Sequence, residues 1–314
     1  MKISRRQFVK AMAAMSAASM LAACGGSSGN GSSGGKKALT FQIWDVAQKE
    51  GMEAMCAAYT QQHPEVSIEV QVTSWNEYWT KLEAAATSNQ MPDIFWMHTN
   101  ELLKYADKGM LADCTDIVEK DKFSEISLSN AMGSNGTLYA VPKDKDTVGL
   151  VYNKEMFDAA GVAYPDENWT WDDLVSASEK IYAATGKYGY MAYADDQLGY
   201  WNFVYQAGGY ILNEDKTKAG FTQPATEKAM KFYIGLQQND WCPDQTYFAE
   251  TAPGTAFFSE KGAMFLEGDW NILAELQNYP EMVGKWDVAV LPKCPDPESG
   301  DGRATISNGL CYAT

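Results

Sequence analysis

The chain has 314 residues with 41 acidic against 25 basic side chains, a formal net charge of −16. Such an acid excess argues against nucleic acid and anionic lipid as partners, because phosphates are held by clustered Lys and Arg. There are six Cys without a CxxC pair, and the two His, His63 and His98, stand far apart; neither a disulfide framework nor a zinc site is expected, and no cofactor is implied.

The N-terminus reads as an export signal. Ser4-Arg5-Arg6-Gln7-Phe8-Val9-Lys10 resembles a twin-arginine motif, and the small apolar stretch 11–21 has the length of a signal h-region, too short to span a bilayer. Leu21-Ala22-Ala23-Cys24 resembles a bacterial lipobox, so residues 1–23 are expected to be removed and Cys24 to be acylated, anchoring the chain to a membrane. Residues 24–37 form a Gly/Ser-rich tether that cannot bury apolar surface. Residues 1–23 hold four of the basic side chains and no acid, leaving 21 basic against 41 acidic and a net charge of about −20 in the mature chain.

Beyond the tether, strands alternate with helices. Residues 39–44 read as a buried strand, and 49–62 as a helix with Met52, Met55, Cys56 and Tyr59 on one face, ended by His63-Pro64. Residues 66–72 alternate as a strand, 75–88 follow as a helix, 94–97 form a short apolar strand, and a helix over 101–108 stops at Gly109. Residues 137–141 and 149–152 read as strands flanking a polar segment, 142–147, where the chain changes lobe. The spacing predicts helices over 170–184, with Thr170 and Asp173 in capping position, and over 222–238, with Pro224 near the start; 286–291 is a late strand. This order implies sheets with covered faces, and Cys56 and Cys114 fit as small buried hydrophobes.

Several segments stand out together: Leu138-Tyr139-Ala140-Val141-Pro142 with Asp146-Thr147, Tyr152-Asn153-Lys154, Phe157 with Ala160-Gly161, and Trp169 to Leu174. Gln206-Ala207-Gly208-Gly209 and Gly262-Ala263-Met264 leading to Gly268-Asp269-Trp270 follow. In this combination and order they resemble the extracellular solute-binding proteins of family 1, carbohydrate-binding lipoproteins that serve ABC importers. Two departures stand out: Asn308-Gly309 replaces a glycine pair, and the closing helices of the family are absent, so the resemblance implies a C-terminally truncated chain. It also implies an α/β, two-lobed periplasmic-binding-protein-like fold of type II, each lobe a mainly parallel sheet flanked by helices. Lobe 1 is expected over 38–147 plus 272–314, and lobe 2 over 148–271.

Sugars present apolar C–H faces edged by hydroxyls, so their capture needs aromatic platforms beside short polar groups. In open α/β sheets ligands sit outside the C-terminal strand ends. That rule selects Trp44 and Asp45 after the first strand, Trp96, His98 and Asn100 after the third, and Asp144 and Asp146 on the crossing. The resemblance adds Tyr200, Trp201 and Asn202 in the second lobe and Asp269-Trp270 at the return crossing; Trp75, Trp79, Trp169, Trp171 and Trp286 are read as structural. Arg303 is the single Arg of the mature chain, which disfavours a carboxylate or phosphate clamp and points to a neutral ligand. The implied function is a monomeric binding protein, tethered at the outer face of the cytoplasmic membrane, that passes a sugar to ABC permease subunits without chemistry. A secreted carbohydrate-active hydrolase and a binding protein for another solute, such as a polyamine, are the alternatives.

Overall fold

The computed structural model describes residues 36–213 and 217–314. The export motif, the lipobox with Cys24 and most of the tether lie outside the described residues. No helix among the described residues is long and apolar enough to cross a membrane.

The first lobe begins with β1 (Lys37–Ile43), α1 (Lys49–Gln62), β2 (Val66–Val72), α2 (Trp75–Thr87), β3 (Ile94–His98) and α3 (Thr99–Ala106). After α4 (Glu125–Asn130) comes the two-residue β4 (Val141–Pro142). The chain then crosses into β5 (Asp146–Asn153), α5 (Lys154–Ala160), α6 (Trp171–Thr185), β6 (Tyr188–Tyr190), α7 (Trp201–Gln206), α8 (Pro224–Leu236), α9 (Gln245–Glu250), α10 (Pro253–Phe258) and β7 (Gly262–Gly268). Last come α11 (Ile272–Asn278), β8 (Trp286–Ala289), β9 (Ser307–Asn308) and β10 (Leu310–Ala313).

Two five-stranded sheets result. The first has the order β2-β1-β3-β10-β4; the second runs β6-β7-β5-β8, with β9 beside the start of β5. The pairs β1–β2 and β1–β3 are parallel, and β10 enters antiparallel between β3 and β4. The expectation of mainly parallel sheets fails in the second lobe. There β5 is antiparallel to β7, β8 and β9, and β6–β7 is the parallel pair among the described strands.

The segment 272–306, expected in lobe 1, also belongs to the second lobe. β8 hydrogen-bonds along the open edge of β5, pairing Leu150 with Ala289 and Tyr152 with Asp287, so the chain returns to the first sheet only at β10. The strand expected over 137–141 shrinks to an isolated bridge between Leu138 and Met132 plus β4.

Alternation along the strands builds a core on each face of each sheet. Phe95 and Met97 of β3 join Tyr78, Leu82 and Leu102 on one face, while Trp96 joins Phe41, Ile43 and Cys56 on the other. In the second lobe Leu150 and Leu266 pack with Leu174 and Phe203, and Val151 and Phe265 point the opposite way toward Phe257 and Met282. All seven residues of β7 are buried, making it the apolar axis of that lobe. In α1 the inward face is narrower than expected: Cys56 is buried, whereas Met55 and Tyr59 are exposed, Tyr59 stacking on His63 at 4.4 Å. The described Cys are all free and buried.

The best local signal is at α6. Thr170 accepts the Asp173 backbone N–H while the Asp173 carboxylate accepts the Thr170 N–H at 2.8 Å, and Gly186 ends the helix in the left-handed region. Thr170→Ala removes the cap and is expected to cost about 1 kcal/mol. Thermal denaturation should show this as a Tm about 2–4 °C below that of the unmodified chain.

Candidate functional site

A cavity of about 430 Å³ opens between the lobes and takes its walls from both. The C-terminal ends of parallel strands converge there, so the residues just past each strand become wall. Trp44 and Asp45 follow β1, Trp75 opens α2 after β2, and His98 ends β3. Asp144 and Asp146 come from the outgoing crossing and Asn308 and Leu310 from the returning one. The second lobe adds Asp195, Gln197 and Leu198 from the turn after β6, and Trp270, Asn271 and Ala274 from the segment after β7.

Trp44 is the centre of an aromatic group, edge-on to Trp75, Tyr78 and Trp96 at 5.2, 5.0 and 5.1 Å. Edge-to-face packing of this kind fixes ring orientation beyond what area burial supplies. Trp75 is 42% exposed and offers the most open ring on this wall. Opposite it, Trp270 lies so close over Gly268 that a Cβ there would fall 2.3 Å from the indole, so glycine is required beneath the ring. Glu267 fixes that turn from below: it accepts Gly268 N at 2.8 Å and Asn271 Nδ2 at 2.9 Å.

The carboxylates differ in how they are held. Asp45 accepts from Ala47 N and Gln48 Nε2, Asp195 accepts from Leu198 N, and Asp144 pairs with Lys143 while accepting Leu310 N at 2.9 Å. The Lys143 ammonium also sits 4.7 Å above the Trp96 ring and donates to Gln48 Oε1. Asp146 has no side-chain hydrogen bond among the described residues. Burial, reinforced by the like charges of Asp144 and Asp269, pushes its carboxyl up to about 6. Burial likewise raises Asp195 and lifts Glu267 to about 7, against the pull of its two donors. His98 moves the other way: burial lowers it to about 4 although Asp144 and Asp196 favour the charged ring.

Of the residues singled out in the sequence, Trp44, Asp45, His98, Asp144, Asp146 and Trp270 share the cavity wall. Six others do not line it. Trp96 is fully buried two residues before the end of β3, sealed by Trp44 and Lys143. Asn100 is exposed on the first turn of α3 and gives its backbone N–H to His98. Tyr200 and Trp201 pack onto the second-lobe core.

Asn202 is fully buried as a clamp, donating to Gln197 O and Gly199 O and accepting from Ile306 N at 2.9 Å. Asp269 is exposed and accepts Thr147 N, tying β7 to the crossing. Trp75, read as structural, is wall, and the strand-end rule applied to β2 finds it. Gln48, Asp195, Gln197, Leu198, Asn271, Ala274, Asn308 and Leu310 were missed; β6, whose end carries three of them, has only three residues and a weak pattern.

The carboxyl shifts set a pH dependence. Asp146 moves from 3.8 up to about 6, so the fold binds more protons than the unfolded chain between those values. Its contribution to stability is therefore full below pH 3.8 and lost as pH rises through about 6. His98, lowered from 6.5 to about 4, gives the opposite slope over much of the same window. Asp146→Asn isolates the first effect. Urea unfolding at pH 8 and pH 4.5 should show the variant more stable than the unmodified chain at pH 8, with the advantage shrinking at pH 4.5.

A model of the bacterial extracellular solute-binding protein family matches residues 44–309. The lactose-binding protein of Rhizobium radiobacter is 26% identical over 267 residues, 81% of this chain and 61% of that protein. The arabinooligosaccharide-binding protein of Bacillus subtilis is 26% identical over 306 residues, 91% of this chain and 67% of that protein. This chain thus falls short of both relatives in length. Among solved structures, an ABC substrate-binding protein from Listeria monocytogenes in complex with cycloalternan superposes with a TM-score of 0.76 at 26% identity, covering 89% of this chain and 71% of that one. A solute-binding protein of an ABC transporter from Thermotoga lettingae, bound with α-D-tagatose, gives 0.74 at 26% identity, covering 88% and 72%. With its two sheets, its shared cleft and the match over 44–309, the chain belongs to the bacterial extracellular solute-binding protein family.

Proposed function

We propose that the protein captures a neutral sugar or oligosaccharide between its lobes and delivers it to an ABC importer. One observation carries this reading: Trp44 and Trp75 from one lobe and Trp270 from the other wall a single cavity together with aspartates. Indole faces match the apolar faces of a sugar ring, and carboxylates accept from its hydroxyls in charge-assisted bonds of about 1.5–3 kcal/mol each. The cavity volume of about 430 Å³ sits within the usual range of roughly 300–1,000 Å³ for small-molecule sites. Among the described residues no Lys or Arg lines it; Lys143 is engaged by Asp144 and Gln48, and Arg303 donates to the Glu167 carbonyl. An anionic ligand would find no counter-charge.

A ligand touching both walls shifts the population toward a closed form without any bond being made or broken. The lactose-binding and arabinooligosaccharide-binding relatives support this class of ligand, as do the cycloalternan and tagatose held in the two similar structures. Export, acylation of Cys24 and tethering at the outer face of the cytoplasmic membrane complete the proposal, with a monomer as the working form.

Calorimetric titration with lactose, arabinotriose and maltotriose tests the ligand class, with spermidine as the cationic control. Saccharide binding is expected; binding of spermidine and of no saccharide rejects the reading, and release of reducing ends shows a hydrolase instead. Trp270→Ala should weaken the bound saccharide by about 10- to 30-fold, the loss of a buried aromatic anchor. For the anchor, Cys24→Ser should abolish labelling by radioactive palmitate and free the protein from the membrane fraction.

A further inference from the structure

We propose that His98 is a specificity-determining donor of the cleft, a tautomer-locked imidazole whose Nε2–H requires an oxygen lone pair on the ligand. The inference rests on the sugar-binding reading and adds to it the polarity of one contact.

The locking follows from position. His98 is the last residue of β3 and also the N-cap of α3, in extended backbone at φ −79° and ψ 142°. Its Nδ1 accepts the Asn100 backbone N–H at 3.2 Å, one of the donors left without an intrahelical partner at any helix start. A ring nitrogen that accepts carries no proton, so the neutral imidazole must hold its proton on Nε2. The ring is 6% exposed, edge-on to Trp75 at 5.5 Å, and lines the cavity. Nε2 has no protein partner among the described residues, so the cleft is where its proton is directed.

The charge state is held as well. Asp144 and Asp196 pull toward the imidazolium, yet burial wins and the ring stays neutral far below neutral pH. A neutral donor matters here because the charged groups of the wall can only accept: four are carboxylates, the amides of Gln48, Gln197, Asn271 and Asn308 both donate and accept, and the remaining donors are the indole N–H groups of Trp44, Trp75 and Trp270. Carboxylates read O–H donors and tolerate any hydroxyl that can point at them. A fixed N–H reads the complementary feature, a hydroxyl, ring or glycosidic oxygen at one location, and leaves an unsatisfied donor when a ligand offers none.

Two substitutions separate the cap from the donor. His98→Asn keeps an oxygen in capping position and loses reach into the cleft, whereas His98→Gln can place an amide N–H near Nε2 and gives up the cap. The probe is whichever of lactose, arabinotriose and maltotriose the unmodified chain binds. Expected results are a melting temperature unchanged in His98→Asn with affinity about tenfold weaker, and affinity largely retained in His98→Gln with a lower melting temperature. Nitrogen-15 spectra of the free protein should show His98 as a single Nε2–H tautomer that does not titrate between pH 5.5 and 8. Unchanged affinity in His98→Asn, or a ring that titrates near neutral pH or carries its proton on Nδ1, overturns the inference and leaves the sugar reading intact. An unmodified chain that binds none of the three saccharides overturns both.

Discussion

Two crossings of the chain run side by side between the sheets, and the cleft depends on that pairing. Asp146 pairs with Asn308 and Thr147 with Ser307, while the Asp144 carboxylate accepts the Leu310 N–H and Asp269 accepts that of Thr147. These contacts bring the C-terminal ends of β1 and β3, the start of β10 and the end of β7 around one space. Side chains placed on the crossings therefore sit where both lobes are within reach. Short crossings paired side by side between two lobes are the arrangement expected of a hinge.

The same region concentrates charge that the fold only partly compensates. Four aspartates line the cavity, and the nearby ammonium, on Lys143, is committed to Asp144, Gln48 and the Trp96 ring. Burial then makes Asp146 and Asp195 costly to ionise, a cost that a hydroxyl donor from a ligand relieves. The rings solve a different problem. Trp44 is held by neighbouring aromatics on several sides, so its orientation is fixed before any ligand arrives, and Trp270 is fixed by the glycine beneath it and by the Glu267 turn. Preorganised platforms reduce the ordering cost of binding.

Asn202 shows how a polar residue close to a site can serve the frame instead. Its amide closes the turn after β6 onto the returning segment at Ile306, using both its donor and its acceptor inside the protein. Gly199 makes that turn possible, since a Cβ there would approach the Tyr193 carbonyl oxygen at 2.8 Å. From sequence, the cluster Tyr200-Trp201-Asn202 has the composition of a sugar site; in the fold it is the wedge that holds the neighbouring Gln197 and Leu198 at the wall.

What the sequence determined by itself was local. Helix periodicity with the His63-Pro64 stop placed α1, periodicity with a capping box placed α6, alternation placed β2, and the polar segment before β5 marked the crossing, because these signals come from residues within one or two turns of each other. The strand-end rule found five wall residues for the same reason, and the family resemblance supplied the sixth, Trp270. Tertiary structure alone decided the direction of the strands around β5, the allocation of 272–306 to the second lobe, and which tryptophans face the cleft. Trp96 and Trp75 are comparable residues near strand ends, yet one is sealed by Trp44 and Lys143 and the other is left open. The difference is set by packing between segments tens of residues apart, and no pattern along either segment records it.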